Sequence, residues 1–101
     1  MLHLNERTLD AYQQKVKAQI KEMKAKMRMF EAGTEKANAN MRLKYQKNLD
    51  NWKSRFKEVE MNLDKLSKSA ESSWKKIQSD IDTAMKELSS SIENATKQFN
   101  N

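Results

Sequence analysis

The sequence predicts an all-α protein made of long amphipathic helices, and three observations predict it. An apolar side chain returns every three or four residues from Leu9 to Phe99, with Thr34 the one polar member of the series. Its 25 steps over 90 residues average 3.6, the pitch of an α-helix. The 101 residues contain no proline and one glycine, Gly33, so the turn punctuation that compact β and α/β folds require is missing. Charged residues make up 34% and hydrophobic residues 37%. That balance reads as disorder when apolar positions are scattered, and as a coiled coil or long helix when they share one face. A single structural unit over residues 1–101 is expected at this length.

The first third keeps a seven-residue rhythm. Leu9, Val16, Met23, Phe30 and Ala37 share one heptad position, and Ile20, Met27, Thr34 and Met41 share another four residues on. A seven-residue repeat is shorter than two helical turns and so imposes a left-handed supercoil. On roughly the opposite face runs a second heptad series: Ala11, Ala18, Ala25, Ala32 and Ala39. Small residues in a row let another helix approach closely; the alternative is that these alanines only raise helix propensity.

Tyr45, Leu49, Trp52 and Phe56 carry the stripe onward, and from Val59 the rhythm changes to eleven. Leu63, Trp74, Met85 and Thr96 fall at one position, Leu66, Ile77, Leu88 and Phe99 at a second, Val59, Ala70, Ile81 and Ile92 at a third. Eleven residues over three turns give a nearly straight helix.

The serine-rich stretch 67–73 is the expected turn, with Ser69 or Ser72 able to cap a new helix leading into Trp74. This reading gives a first helix over about 5–67, a turn at about 68–72 and a second helix over about 73–99. The pair forms an antiparallel coiled-coil hairpin whose first arm is about 90 Å long at 1.5 Å per residue. The second arm covers less than half of the first, so the apolar stripe from Leu9 to Met41 requires another chain and the hairpin oligomerises. The alternative places an extra turn at 33–35, with Gly33 ending one helix and Thr34 capping the next, and yields a compact three-helix bundle. Against that break, the alanine series passes from Ala32 to Ala39 in register, and an interior glycine costs only about 1 kcal/mol.

The residue inventory points away from enzyme chemistry, so no catalytic, cofactor-binding or metal-ligating residue and no cofactor or small-molecule substrate is expected. Cysteine is absent, and the single histidine, His3, has no ligating or catalytic partner nearby in sequence. Most carboxylates sit beside lysines at helical spacing, as Glu22 does with Lys26, on faces that supply neither shielding nor perturbed pKa values. Met23, Met27 and Met29 resemble a soft copper(I) set, but the first two lie in the seam and the third points elsewhere, so packing is the expected role. Trp52 and Trp74 fall in the seam as packing anchors. No apolar run reaches signal-peptide or membrane-span length, and the chain reads as cytoplasmic.

Charge is uneven. Residues 1–70 carry a net +7 and residues 71–101 a net −1, with basic clusters at 15–28 and 36–57. A homo-oligomer or another helical protein is the favoured partner of such a chain. An anionic lipid surface is the alternative suggested by the eleven-residue repeat and positive charge. Nucleic acid ranks third, since aromatics facing the core leave no stacking platform among the lysines.

The stretches Lys44-Tyr45-Gln46-Lys47-Asn48-Leu49 and Ser73-Trp74-Lys75-Lys76-Ile77, the latter leading to Met85-Lys86-Glu87-Leu88, resemble short bacterial coiled-coil proteins, including a cyanobacterial stress-response group. The resemblance spans residues 5 to 99 and implies a helical, stress-linked protein without catalytic residues. Members of that group tend to carry glycine shortly before the tryptophan, where this chain has Ser72 and Ser73. A second resemblance, to small secreted helical hairpins with a Trp-x-Gly turn, rests on Trp52-Lys53-Ser54, which lacks the glycine.

Overall fold

Three helices follow one another in the computed structural model, which describes residues 2–100 and the side chains of residues 8–98: α1 (Leu2–Thr34), α2 (Ala39–Lys68) and α3 (Glu71–Asn100). A 33-residue helix is about 50 Å long at 1.5 Å per residue. The whole molecule measures 56 × 17 × 15 Å, so the helices lie side by side as a slender rod. Cross-helix contacts give their directions. Lys24 meets Glu60 at 2.6 Å and Glu31 meets Lys53 at 3.6 Å, so α1 and α2 run antiparallel. Arg55 meets Glu87 at 2.8 Å and the Trp52 indole N–H donates to Ser91 Oγ at 2.9 Å, so α2 and α3 are antiparallel too. α1 and α3 are consequently parallel, with Tyr12 beside Gln78 and Asp82.

The fold is all-α, but the first helix does not run over 5–67. It breaks at residues 35–38, and the three-helix alternative is the arrangement that forms. Gly33 is not the terminator expected of it: no glycine adopts positive φ among the described residues, and Gly33 stays inside α1. Nor does Thr34 cap the next helix; its hydroxyl donates back to the Glu31 carbonyl at 2.6 Å. The capping residue is Asn38, extended at φ −70° and ψ 170°, whose side-chain oxygen accepts the Met41 N–H at 2.9 Å. Arg42 closes the corner by donating its guanidinium N–H to the Glu35 carbonyl at 2.6 Å.

Energetics explain why the chain turns here. Breaking a helix forfeits a few backbone bonds, which the Asn38 cap (about 1 kcal/mol) and the tightened turn partly replace. Folding back buries Leu9, Val16, Ile20, Met23, Met27 and Phe30 against α2 and α3. Each such side chain contributes about 1.5–3 kcal/mol, so packing outweighs the lost turn several-fold. The alanine register across the break is therefore not one helix continuing. Ala32 lies in the last turn of α1 and Ala39 opens α2.

The second corner falls at Ser69 and Ala70, inside the expected serine stretch. Ser69 ends α2 rather than starting α3: its N–H bonds to Leu66 O at 3.3 Å and its hydroxyl to Lys65 O at 2.6 Å. Ser72 is exposed in the first turn of α3. Trp74 is half-buried rather than buried, with its indole N–H donating to the Ser69 carbonyl at 3.0 Å, so it pins the turn from the edge of the core.

All eighteen buried core residues belong to the 3.6-residue stripe. Of the remaining members, Tyr12, Thr34, Ala37, Trp74 and Ala95 are half-buried, Met41 and Ala70 are exposed, and the Phe99 side chain lies outside the described residues. Toward the α1–α2 corner the core is aromatic. Phe30 stands edge-on to Tyr45 and to Trp52, with ring centroids 5.2 Å and 5.0 Å apart, a favoured geometry for rings whose faces are negative and edges positive.

Candidate interaction surface

No polar or charged side chain is buried among the described residues, so the chemistry that the molecule presents is on its outside. The polar groups nearest the core tie helices together. The Tyr12 hydroxyl shares its proton between Asp82 Oδ1 at 2.7 Å and the Gln78 carbonyl at 3.1 Å. Burial, then the hydrogen bond to Asp82 and its charge, push the phenol well above its usual range, because ionising it there would place a second negative charge beside the carboxylate. Gln13 donates to the Leu63 carbonyl at 3.3 Å across the α1–α2 seam. Lys24 also lies over the Phe56 ring, 5.8 Å from its centre.

The expected site residues fall as follows. Met23 and Met27 are buried in the seam while Met29 is 75% exposed, so the three thioethers do not converge. No group of three or more His, Asp or Glu side chains comes together at metal-ligating spacing among the described residues, and the His3 side chain lies outside them. Trp52 is a packing anchor, 1% exposed. Ala11, Ala18, Ala25 and Ala32 all face solvent along α1, so no helix of this chain lies on them.

Among the described residues four large apolar side chains are exposed: Met29, Met41, Leu43 and Met61. Leu43 and Met61 are eighteen residues apart, five full helical turns, and so share the outward line of α2. Leu43 is off the stripe and was not singled out by periodicity, since it sits between Met41 and Tyr45 out of phase with both. It is 67% exposed. Around it, residues 36–49 hold Lys36, Arg42, Lys44 and Lys47 and no carboxylate. Lys36, Lys44 and Lys47 form no ion pair among the described residues, and Arg42 is engaged by a carbonyl rather than an acid. In the 15–28 cluster Lys24 is paired with Glu60, and Glu60 and Asp64 of α2 line the same groove as Lys17 and Lys24, while Lys15, Lys21, Lys26 and Arg28 form no ion pair among the described residues. The α1–α2 corner therefore combines unneutralised cations with exposed apolar groups.

No helix among the described residues is long and apolar enough to cross a membrane. No family model matches this chain, and no curated protein or solved structure does either.

Proposed function

We propose that this protein is a non-enzymatic helical interaction module, a preassembled rod that engages its partner through the outside of the closed bundle. The observation that carries this reading is the division of apolar residues. The stripe is consumed within one chain, and a small apolar set with surplus cations is left on the surface. The hairpin's reason to oligomerise is also removed, because Leu9 to Phe30 are covered by α2 and α3 of the same chain. Self-association as a scaffold then has to use the exposed alanine line or the exposed methionines and Leu43. A stress-linked role draws its support from the resemblance to short bacterial coiled-coil proteins.

Two rival readings fit less well. Adsorbing flat on a membrane through the stripe would require the bundle to open and give up its core. Non-specific binding of nucleic acid through the basic faces at 15–28 and 36–57 would use the cations alone, with no stacking platform, since Phe30, Tyr45, Trp52 and Phe56 are buried. The test is photo-crosslinking in cells with a benzoylphenylalanine placed in turn at Ala18, Met29, Leu43 and Met61. A heavier adduct from at least one position is expected, and an adduct of twice the chain mass identifies self-association. Absence of any adduct from all four positions, or adducts only from core positions such as Leu49, refutes the reading.

A further inference from the structure

We infer that the α1–α2 corner is a docking tip for an anionic lipid surface, with the rod meeting the bilayer end-on. The inference rests on the interaction-module reading and names the partner of one part of that surface. Four cations, Lys36, Arg42, Lys44 and Lys47, lie within twelve residues that contain no acid. Within the same run Leu43 is 67% and Met41 37% exposed, two of the four large apolar side chains exposed among the described residues. Leu43 and Lys47 are one helical turn apart on the outward line of α2, and Lys44 adjoins Leu43.

This pairing fits the boundary of an anionic bilayer. Cations gain from the negative headgroup layer, about fivefold in affinity for each one brought near the surface. Apolar side chains between them reach the acyl boundary and leave water there. A nucleic-acid backbone would reward the cations alone and leave Leu43 and Met41 wet. Three carboxylates are near: Glu31 is paired with Lys53, Asp50, a turn past Lys47, accepts from Gln46, and Glu35 is exposed beside Lys36, so the four cations of the run outnumber the one unpaired acid at the corner. The opposite end of the rod differs. Lys65, Lys68, Lys75 and Lys76 are interspersed there with Asp64 and Glu71, and Lys68 is paired with Asp64. Docking by the tip leaves the core closed.

The experiment is co-sedimentation of the full chain with phosphatidylcholine vesicles, with and without phosphatidylglycerol, at low and high salt. Pelleting with the anionic vesicles alone, lost at high salt, is expected. Lys44→Glu/Lys47→Glu should weaken binding by at least about 25-fold, from two fivefold steps. Lys75→Glu/Lys76→Glu makes the same change in net charge at the other end and should change it less than about threefold. Leu43→Ser should lower affinity about tenfold, and Leu43→Trp should show a blue-shifted emission on anionic vesicles. Failure to pellet with anionic vesicles at low salt overturns the inference. So does an equal loss in both charge-reversed variants, or binding to duplex DNA that Leu43→Ser leaves unchanged while vesicles are ignored. A crosslinked protein partner at Leu43 together with no vesicle binding would sink the lipid tip and leave the interaction module standing.

Discussion

Replacing Trp52 by alanine should be the most damaging single change in this bundle. The ring is 1% exposed, packs edge-to-face with Phe30 and donates its N–H to Ser91. Truncating a fully buried tryptophan removes the transfer energy of the ring and leaves a cavity, together about 3–5 kcal/mol. A domain of this size has about 5–15 kcal/mol in total. At about 4–8 °C per kcal/mol the midpoint should fall by about 12–40 °C. Trp52→Phe keeps most of the buried ring and loses the hydrogen bond; Ser91 is exposed and rehydrates, so about 1–2 kcal/mol is expected. Trp74 is the internal comparison. Its ring is only partly buried, at the edge of the core, so Trp74→Ala should cost less, about 1–2 kcal/mol, and the exposed Lys75→Ala close to nothing. Thermal and urea melts followed at 222 nm decide the order. Equal losses at Trp52 and Trp74, or a Trp52→Ala protein that melts within a few degrees of the parent, would refute the core as described.

Two further outcomes follow from the corner and the seam. Asn38→Ala removes the cap on α2 and should lower stability by about 1 kcal/mol, whereas Asn40→Ala, exposed in the first turn beyond it, should change little; equal effects in urea melts would mean that the cap is not what ends the break. The raised Tyr12 phenol binds its proton more tightly folded than unfolded, so its contribution is complete below the ordinary tyrosine pKa near 10 and is lost as pH rises above it. Stability should therefore fall more steeply above about pH 10 in the parent than in Tyr12→Phe. Parallel slopes for the two proteins would show that the phenol ionises freely.

Periodicity revealed the core and not the topology. Every buried residue was legible as a return of the 3.6-residue stripe, because burial on a helix has no other geometry available. The stripe is blind to a break, however, when two helices resume it in phase. Ala37 and Met41 continued the pattern across a corner where four residues leave the helix. The signal that marks the corner is local: Asn38 with Met41 three residues on, where a short side-chain oxygen meets an orphan N–H. It competes in sequence with the more conspicuous Gly33, which stays helical because nothing there requires positive φ. At the second corner the serines were informative in number but not in role. Ser69 serves the end of α2, since its hydroxyl reaches the Lys65 carbonyl one turn back. Leu43 lies off the stripe because it is not core.

Folding also redistributes the charge. By sequence, 15–28 and 36–57 are comparable basic clusters, with one acid in each. Folding places α2 antiparallel to α1, which brings Glu60 onto Lys24 and sets Asp64 in the groove beside Lys17. The first cluster is thus partly neutralised by acids about forty residues away in the chain. The second is split. Its later half pairs across helices, Lys53 with Glu31 and Arg55 with Glu87, while Lys36, Lys44 and Lys47 of its earlier half form no ion pair among the described residues and share the corner with one unpaired acid, Glu35. Exposed pairs of this kind contribute at most about 1 kcal/mol each to stability, so their larger effect is on the field that the rod presents. A basic excess that looks distributed along the chain becomes concentrated at one end of a 56 Å rod, where Leu43 and Met41 also stand exposed.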